Sequence, residues 1–290
     1  MKVKDGNGSG IWLKLGALAL AACFVLAVTV TVFSSSGCKS SPKKGDLPLY
    51  PLNIDPPTML RLMDKRAYML GGVEADLDIT VKTSSKANFT AGYAYNAPSE
   101  HRLQIAYPGE PPVIDSVVRG RSAEIYSPVE LVKLTANLDL AVADRMGILW
   151  AVEAASFFDG QLTGFVPYGA KIENDHATQF VFLRDCPSCE IRAFVHRETQ
   201  TIRKMVYSNQ EGVLFETSYD EYVTVRNTVW PMKVAVAAEG FEMIMKTDSF
   251  RFSTHSITDF ILDELPGTEE VFSVGQFLGV LYGKDSLEGQ

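Results

Sequence analysis

The sequence predicts a mainly β protein, with a few helices set against one large antiparallel sheet that curls on itself. Three observations carry that expectation. Apolar residues alternate with polar ones from Val73 to Lys82, and in run after run to Phe252, the period-two pattern of strands with one buried face. Short turns rich in Gly, Pro, Asn, Asp and Ser separate the runs, giving about eleven strands, and a sheet of that size does not stay flat. Only two stretches, 58–70 and 128–158, break into helical spacing.

The chain opens on the stretch Ile11 to Cys38. Leu15 to Phe33 holds 19 residues without a charge, with Lys2, Lys4 and Lys14 before it and Ser34-Ser35-Ser36-Gly37-Cys38 behind it. A basic start, an apolar core and small residues before a break form an export signal. The small residues ahead of Cys38 resemble the site at which bacterial lipoproteins are cleaved and acylated, although Ser35 stands where an aliphatic residue is usual. Nineteen residues at ~1.5 Å each also just cross a ~30 Å hydrocarbon core, so an uncleaved anchor is the alternative. Either places the rest of the chain outside the cytoplasm, tethered to a membrane. The divisions that follow are a signal or anchor at 1–37, a tether at 38–56, a folded domain at 57–268 and a tail at 269–290.

The net charge of −8 conceals a contrast: residues 1–37 carry three lysines and one aspartate, which leaves −10 for the remainder. An acidic body argues against nucleic acid and against electrostatic adhesion to anionic headgroups. Membrane attachment therefore falls to the N-terminal lipid or helix.

After a polar tether (KSSPKKGD) and a proline-rich approach, Leu60, Met63, Ala67 and Leu70 recur at helical spacing. Thr58 is the expected N-cap and Gly71-Gly72 the stop. The strand at 73–82 follows, then strands around Phe89–Tyr95, His101–Tyr107, Pro112–Arg119 and Ser122–Tyr126. Pro128 to Phe158 reads as one or two helices, with Asp139, Asp144, Arg145, Glu153 and Asp159 on a solvated face rather than in a catalytic group. Strands resume at Gln179 and continue by hairpins, Glu239-Gly240 among them, to Phe252.

Chemical motifs are sparse. No Gly-rich phosphate loop, G-x-S-x-G or H-E-x-x-H occurs, and His101, His176, His196 and His255 lie singly, without ligand spacing. No catalytic residue, metal or cofactor is expected. Besides Cys23, inside the apolar run, and Cys38, the body holds only Cys186 and Cys189. A redox pair would open a helix, whereas a β-branched run follows here. The pair reads as a disulfide across a hairpin, with free thiols or a redox or metal role as alternatives. Sixteen Phe and eleven Tyr suit either a filled core or a concave apolar cavity able to take an acyl chain.

The order of elements carries a resemblance. The tethered helix, Gly92-Tyr93, Pro98 with Arg102-Leu103, Arg119-Gly120 and Glu124-Ile125-Tyr126-Ser127-Pro128 resemble the periplasmic lipoprotein carrier and outer-membrane lipoprotein receptor family (the LolA/LolB fold). So do Tyr222, Trp230-Pro231, the strand to Phe252, Ser256 to Phe260 and Leu265-Pro266. The resemblance implies a half-open β-barrel over roughly 57–268, closed by a helical lid at 58–70 and 130–158, binding lipid or lipoprotein acyl chains. It implies a cell-envelope protein on the periplasmic side, and Lys39 after Cys38 points to the outer membrane. Because fold alone does not settle function, an envelope sensor or scaffold binding a protein partner is the second expectation, and an enzyme the third.

Overall fold

The computed structural model describes residues 47, 54–141, 147–173, 176–187, 189–225, 228–254 and 257–282. The expected export signal or anchor, Cys38, Asp144, Arg145 and His255 lie outside them.

Helix α1 spans Pro56–Leu70. Its N-cap is Asp55 rather than Thr58: the Asp55 carboxylate accepts from the Thr58 N–H at 2.9 Å. Pro56 and Pro57 fill the first turn, where a missing N–H costs nothing. Gly71, at φ 67°, ends the helix. Met59, Met63, Ala67 and Leu70 are buried, the stripe that their spacing requires.

Fourteen strands follow in one sheet. They are β1 (Gly72–Lys82), β2 (Lys86–Asn96), β3 (Glu100–Ala106), β4 (Pro112–Arg119), β5 (Ser122–Ser127), β6 (Val132–Asn137), β7 (Val166–Glu173), β8 (His176–Cys186), β9 (Cys189–His196), β10 (Ile202–Asn209), β11 (Gly212–Val225), β12 (Thr228–Ala238), β13 (Phe241–Ser253) and β14 (Glu269–Val271). Their spatial order is β14-β6-β5-β4-β3-β2-β1-β13-β12-β11-β10-β9-β8-β7. Two antiparallel meanders, β1–β6 and β7–β13, are joined where β1 pairs with β13 along its whole length. The sheet curls without closing, so this is a half-open barrel with helices.

This topology fixes where the helices go. Strand β6 lies next to the β14 end of the sheet and β7 forms the other end, so the chain between them crosses the hollow. That crossing carries α2 (Leu138–Ala141) and α3 (Gly147–Ala155). Helix α3 is apolar on all sides, and Leu149 to Ala155 are all buried. It therefore fills the hollow rather than covering it, while α1 lies against β12 and β7. Gly147 allows the helix to enter, since a Cβ there would stand 2.6 Å from the Phe241 ring.

Three segments differ from the sequence reading. Residues 128–158 are not wholly helical: Val132 and Leu134 alternate inward as β6, a run too short to show its period. Strand β7 escaped notice because it is an exposed edge holding Pro167 and Gly169, with no apolar alternation. The stretch 269–290 does not begin as a loose tail. Glu269–Val271 pairs in parallel with Val132–Leu134, and helix α4 (Val274–Tyr282) packs on β6 through the buried Val274 and Phe277.

Between β13 and β14 the chain straps across the outer face. Phe260 and Leu262 cover Val117 and Tyr126 in a small second core. Arg102 donates to the Asp259 carbonyl at 2.8 Å, and Tyr126 Oη accepts from the Leu265 N–H at 3.2 Å.

Candidate functional site

The concave face is lined by aromatic side chains that converge on α3. Trp230 is fully buried, with its ring centre 5.7 Å from Tyr93, 5.4 Å from Phe158 and 4.8 Å from Phe250. Trp150 of α3 stacks on Phe215 at 5.0 Å, and Tyr207 on the same ring at 4.0 Å. The apolar hollow is thus occupied by the protein's own side chains.

The last carbonyls of α3 accept from N–H groups of the turn that follows, and tyrosines of the sheet add further donors. Tyr219 donates to the Ala154 carbonyl at 3.1 Å and Tyr93 to the Ala155 carbonyl at 3.3 Å. Tyr207 donates to Glu153 Oε1 at 3.1 Å. Burial pushes all three phenols above their ordinary pKa, so they stay protonated donors. The tyrosine-rich composition therefore does more than fill space.

Glu153 is the main departure from the sequence reading. Expected on a wet helix face, it is 0% exposed. A carboxylate in that position must be paired, and it is. Arg121 Nη1 stands 2.9 Å from Glu153 Oε2, and Arg184 Nη2 3.9 Å from Oε1. Asp139 Oδ1 joins the same two guanidiniums at 2.8 Å each. Burial works against the Arg121 charge, yet Glu153 and Asp139 outweigh it and hold its pKa above the ordinary value. For Arg184, burial and the like charge of Arg121 prevail and lower it. Arg184 was legible in one respect: it shares strand parity with the buried Phe180 and Phe182, so it had to point inward. Arg121, in a turn, gave no such signal.

Asp159 is buried too, again against expectation. It accepts from the Gln161 N–H at 2.8 Å and lies near Tyr95 and the Asp64 carboxylate of α1. Burial pushes it up to about 7, with Gln161 and Tyr95 opposing and Asp64 adding to the rise. Burial also raises Asp64, against a hydrogen bond from the Leu162 backbone. His101, bonded through Nδ1 to the Tyr93 hydroxyl at 2.7 Å, is held down at about 3 by burial and by Arg121.

These two groups have opposite linkage. Between 3.8 and about 7 the folded chain keeps a proton on Asp159 that the unfolded chain releases, so stability falls as pH rises through that window. Below 6.5 the unfolded chain protonates His101 and the folded chain does not, so stability falls as pH drops toward 3. In Asp159→Asn the first slope loses its Asp159 part. The variant should gain on the wild type as pH rises from 4 to 7, by at most about 1.4 kcal/mol per pH unit, in urea midpoints measured across that range. A pH-independent difference would exclude a buried proton at Asp159.

Cys186 and Cys189 face each other at the β8–β9 turn, joined by a disulfide with Cα atoms 5.0 Å apart. The bond removes free thiols, and the pair closes the β8–β9 hairpin rather than opening a helix. Among the described residues no group of three or more His, Cys, Asp and Glu side chains is placed to hold a metal.

Among the described residues, two clefts stand out. One of about 350 Å³ lies by Arg102, Gln104, Asp115, Tyr126 and Asp263, where Asp115 binds Arg102 at 2.6 Å. The other, of about 290 Å³, lies by Ser99, His101, Arg121, Gln161, Thr163 and Arg184.

A curled open sheet wrapped around a helix that returns through its hollow defines a LolA-like fold. Solved structures share it. A LolA superfamily protein from Nitrosomonas europaea superposes with a TM-score of 0.55 at 10% identity, covering 73% of this chain and 100% of its own. An outer membrane lipoprotein-sorting protein domain from Vibrio parahaemolyticus gives 0.57 at 12%, covering 70% and 94%. A DUF1329 family protein from Desulfovibrio piger gives 0.51 at 10%, covering 72% and 98%. At such identities the likeness is one of fold. No family model matches the sequence, and no curated protein does.

Proposed function

We propose that this chain is an extracytoplasmic protein, tethered to a membrane by lipid on Cys38, that takes up lipid or lipoprotein acyl chains in the hollow of its sheet. The observation that carries this reading is α3. An apolar helix on a crossover between the two sheet edges occupies the volume an acyl chain would need, against walls of Trp230, Phe158, Phe215 and the methionines Met205, Met243 and Met245. Uptake requires α3 and α1 to move, and α1 is held by identifiable bonds. Arg66 of α1 donates to the carbonyls of Thr199 and Gln200, and Tyr95 to that of Ala67 at 3.3 Å. The names of two fold neighbours, which speak of LolA and of lipoprotein sorting, point the same way.

Native mass spectrometry of the full-length chain from its own membranes tests both parts at once. The expected spectrum shows a covalent acyl increment that Cys38→Ser abolishes, and a non-covalent lipid-sized adduct. A wild-type chain carrying neither sinks the reading.

A second reading has its own support. Edge strand β7 exposes Val166, Tyr168 and Ile172 by 57, 59 and 67%, and exposed apolar edges mark surfaces where another chain adds a strand. An envelope sensor or scaffold would use that edge. Co-purification of a stoichiometric protein without lipid in the same experiment favours it.

A further inference from the structure

We propose that the cleft beside Arg184 is a binding site for an oxyanion of the phosphate or carboxylate kind. This deepens the reading above by naming the headgroup chemistry of the ligand whose chain enters the hollow.

The cleft, of about 290 Å³, is bounded by Ser99 after β2, by Arg121 between β4 and β5, by Gln161 and Thr163 after α3, and by Arg184 of β8. Arg184 is 9% exposed, and its Nε–H is buried without a hydrogen-bond partner. Its Nη2 donates to Asp139 at 2.8 Å. A guanidinium presents five donors in a rigid fork, and here Nη2 is spent on Asp139 while Nε keeps an unused donor. A buried charged donor left unpaired is costly, so the arrangement favours an acceptor arriving from outside.

The surroundings select the sign of that acceptor. No acidic residue lines the cleft, and hydroxyl and amide side chains make up much of the rest. His101 spends its Nδ1 on the Tyr93 hydroxyl. The two nearby carboxylates, Asp139 and Glu153, are matched by two guanidiniums, and Arg121 holds Glu153 more closely than Arg184 does. Of the two guanidiniums, Arg184 is the less closely paired, and it alone keeps an unused buried donor.

The donor is also held in place. The Arg184 guanidinium carbon stands 5.0 Å from the centre of the Phe165 ring, and a Cβ on Gly164 would come within 3.4 Å of its Cδ. The Phe165 ring against the guanidinium and the bond to Asp139 hold the fork before a ligand arrives, which lowers the entropy cost of binding. Phosphate and carboxylate oxygens accept from such a fork with charge-assisted strength.

Titration calorimetry on the full-length chain in a maltoside detergent tests this with two probes, inorganic phosphate and dihexanoyl phosphatidylglycerol. One saturable site is expected. Arg184→Lys keeps a positive charge beside Asp139 but offers a single ammonium, and should weaken phosphate binding roughly tenfold or more. Thr163→Trp, at an exposed rim position, should block the cleft with an unchanged melting temperature, which separates loss of the site from loss of the fold. Tighter binding of the lipid than of phosphate assigns the site to a headgroup, and equal affinity assigns it to a free anion; both support an oxyanion site. No binding of either probe, or binding that neither variant weakens, overturns it. Lipid adducts that persist in the mass spectrum while phosphate fails to bind would remove this site and leave the acyl-chain reading standing. Phosphate binding without adducts would do the reverse.

Discussion

Replacing Glu153 with alanine should destabilise the fold by about 3–5 kcal/mol, the cost of removing one partner from a buried ion pair. Glu153 sits fully buried on α3, within reach of Arg121, Arg184 and the Tyr207 hydroxyl. Without it Arg121 retains Asp139, but both guanidiniums keep charge that the interior no longer balances, and Tyr207 loses its acceptor. The loss should appear as a lower urea midpoint with an unchanged denaturant slope, since the surface exposed on unfolding is the same. Glu153→Gln keeps the shape and part of the hydrogen bonding, and should fall between alanine and the wild type. A cost below about 1 kcal/mol for alanine, the size of an exposed pair, would mean that water reaches the cluster and that α3 does not seal the hollow.

Trp230→Ala should cost a similar amount for a different reason. Removing a fully buried aromatic side chain from a packed core costs about 3–5 kcal/mol, from lost transfer energy and from the cavity left behind. Trp230 touches Tyr93, Phe158 and Phe250 at once, and its indole N–H donates to Thr247 Oγ1 at 3.2 Å. Thr247 keeps its bond to the Pro231 carbonyl at 3.4 Å, so the polar part of the loss is small and the apolar part dominates. Trp230→Phe, which retains most of the contact, should recover more than half of the difference in the same unfolding measurement. Equal destabilisation by phenylalanine and alanine would place the effect in the indole hydrogen bond instead.

The two variants probe features that were unequally visible before the structure. Trp230 closes a β-branched and aromatic run, so its strand position was legible, and on β12 it shares parity with the buried Val234 and Val236. Glu153 lies in a helix whose neighbours Leu149, Val152, Ala154 and Ala155 cover every side. In a helix apolar all round, a single carboxylate gives no indication of which way it points, and the solvated face was the simpler expectation. The same holds for Asp159, whose short turn after α3 carries no period.

Apart from β6, β7 and β14, the strands, the single large sheet and the Cys186–Cys189 bridge were legible in this sequence. Each depends on residues within a few positions of one another: side-chain parity is a property of the local backbone, and a hairpin is closed by its own turn. The tertiary structure alone decided that α3 fills the hollow, that β14 and α4 extend the domain past residue 268, and that Asp139, Glu153, Arg121, Arg184 and Tyr207 meet. Those five residues come from α2, α3, a β-turn, β8 and β10. They are brought together only when the crossover spans the sheet from one edge to the other, and the low dielectric of the interior then makes their pairing obligatory.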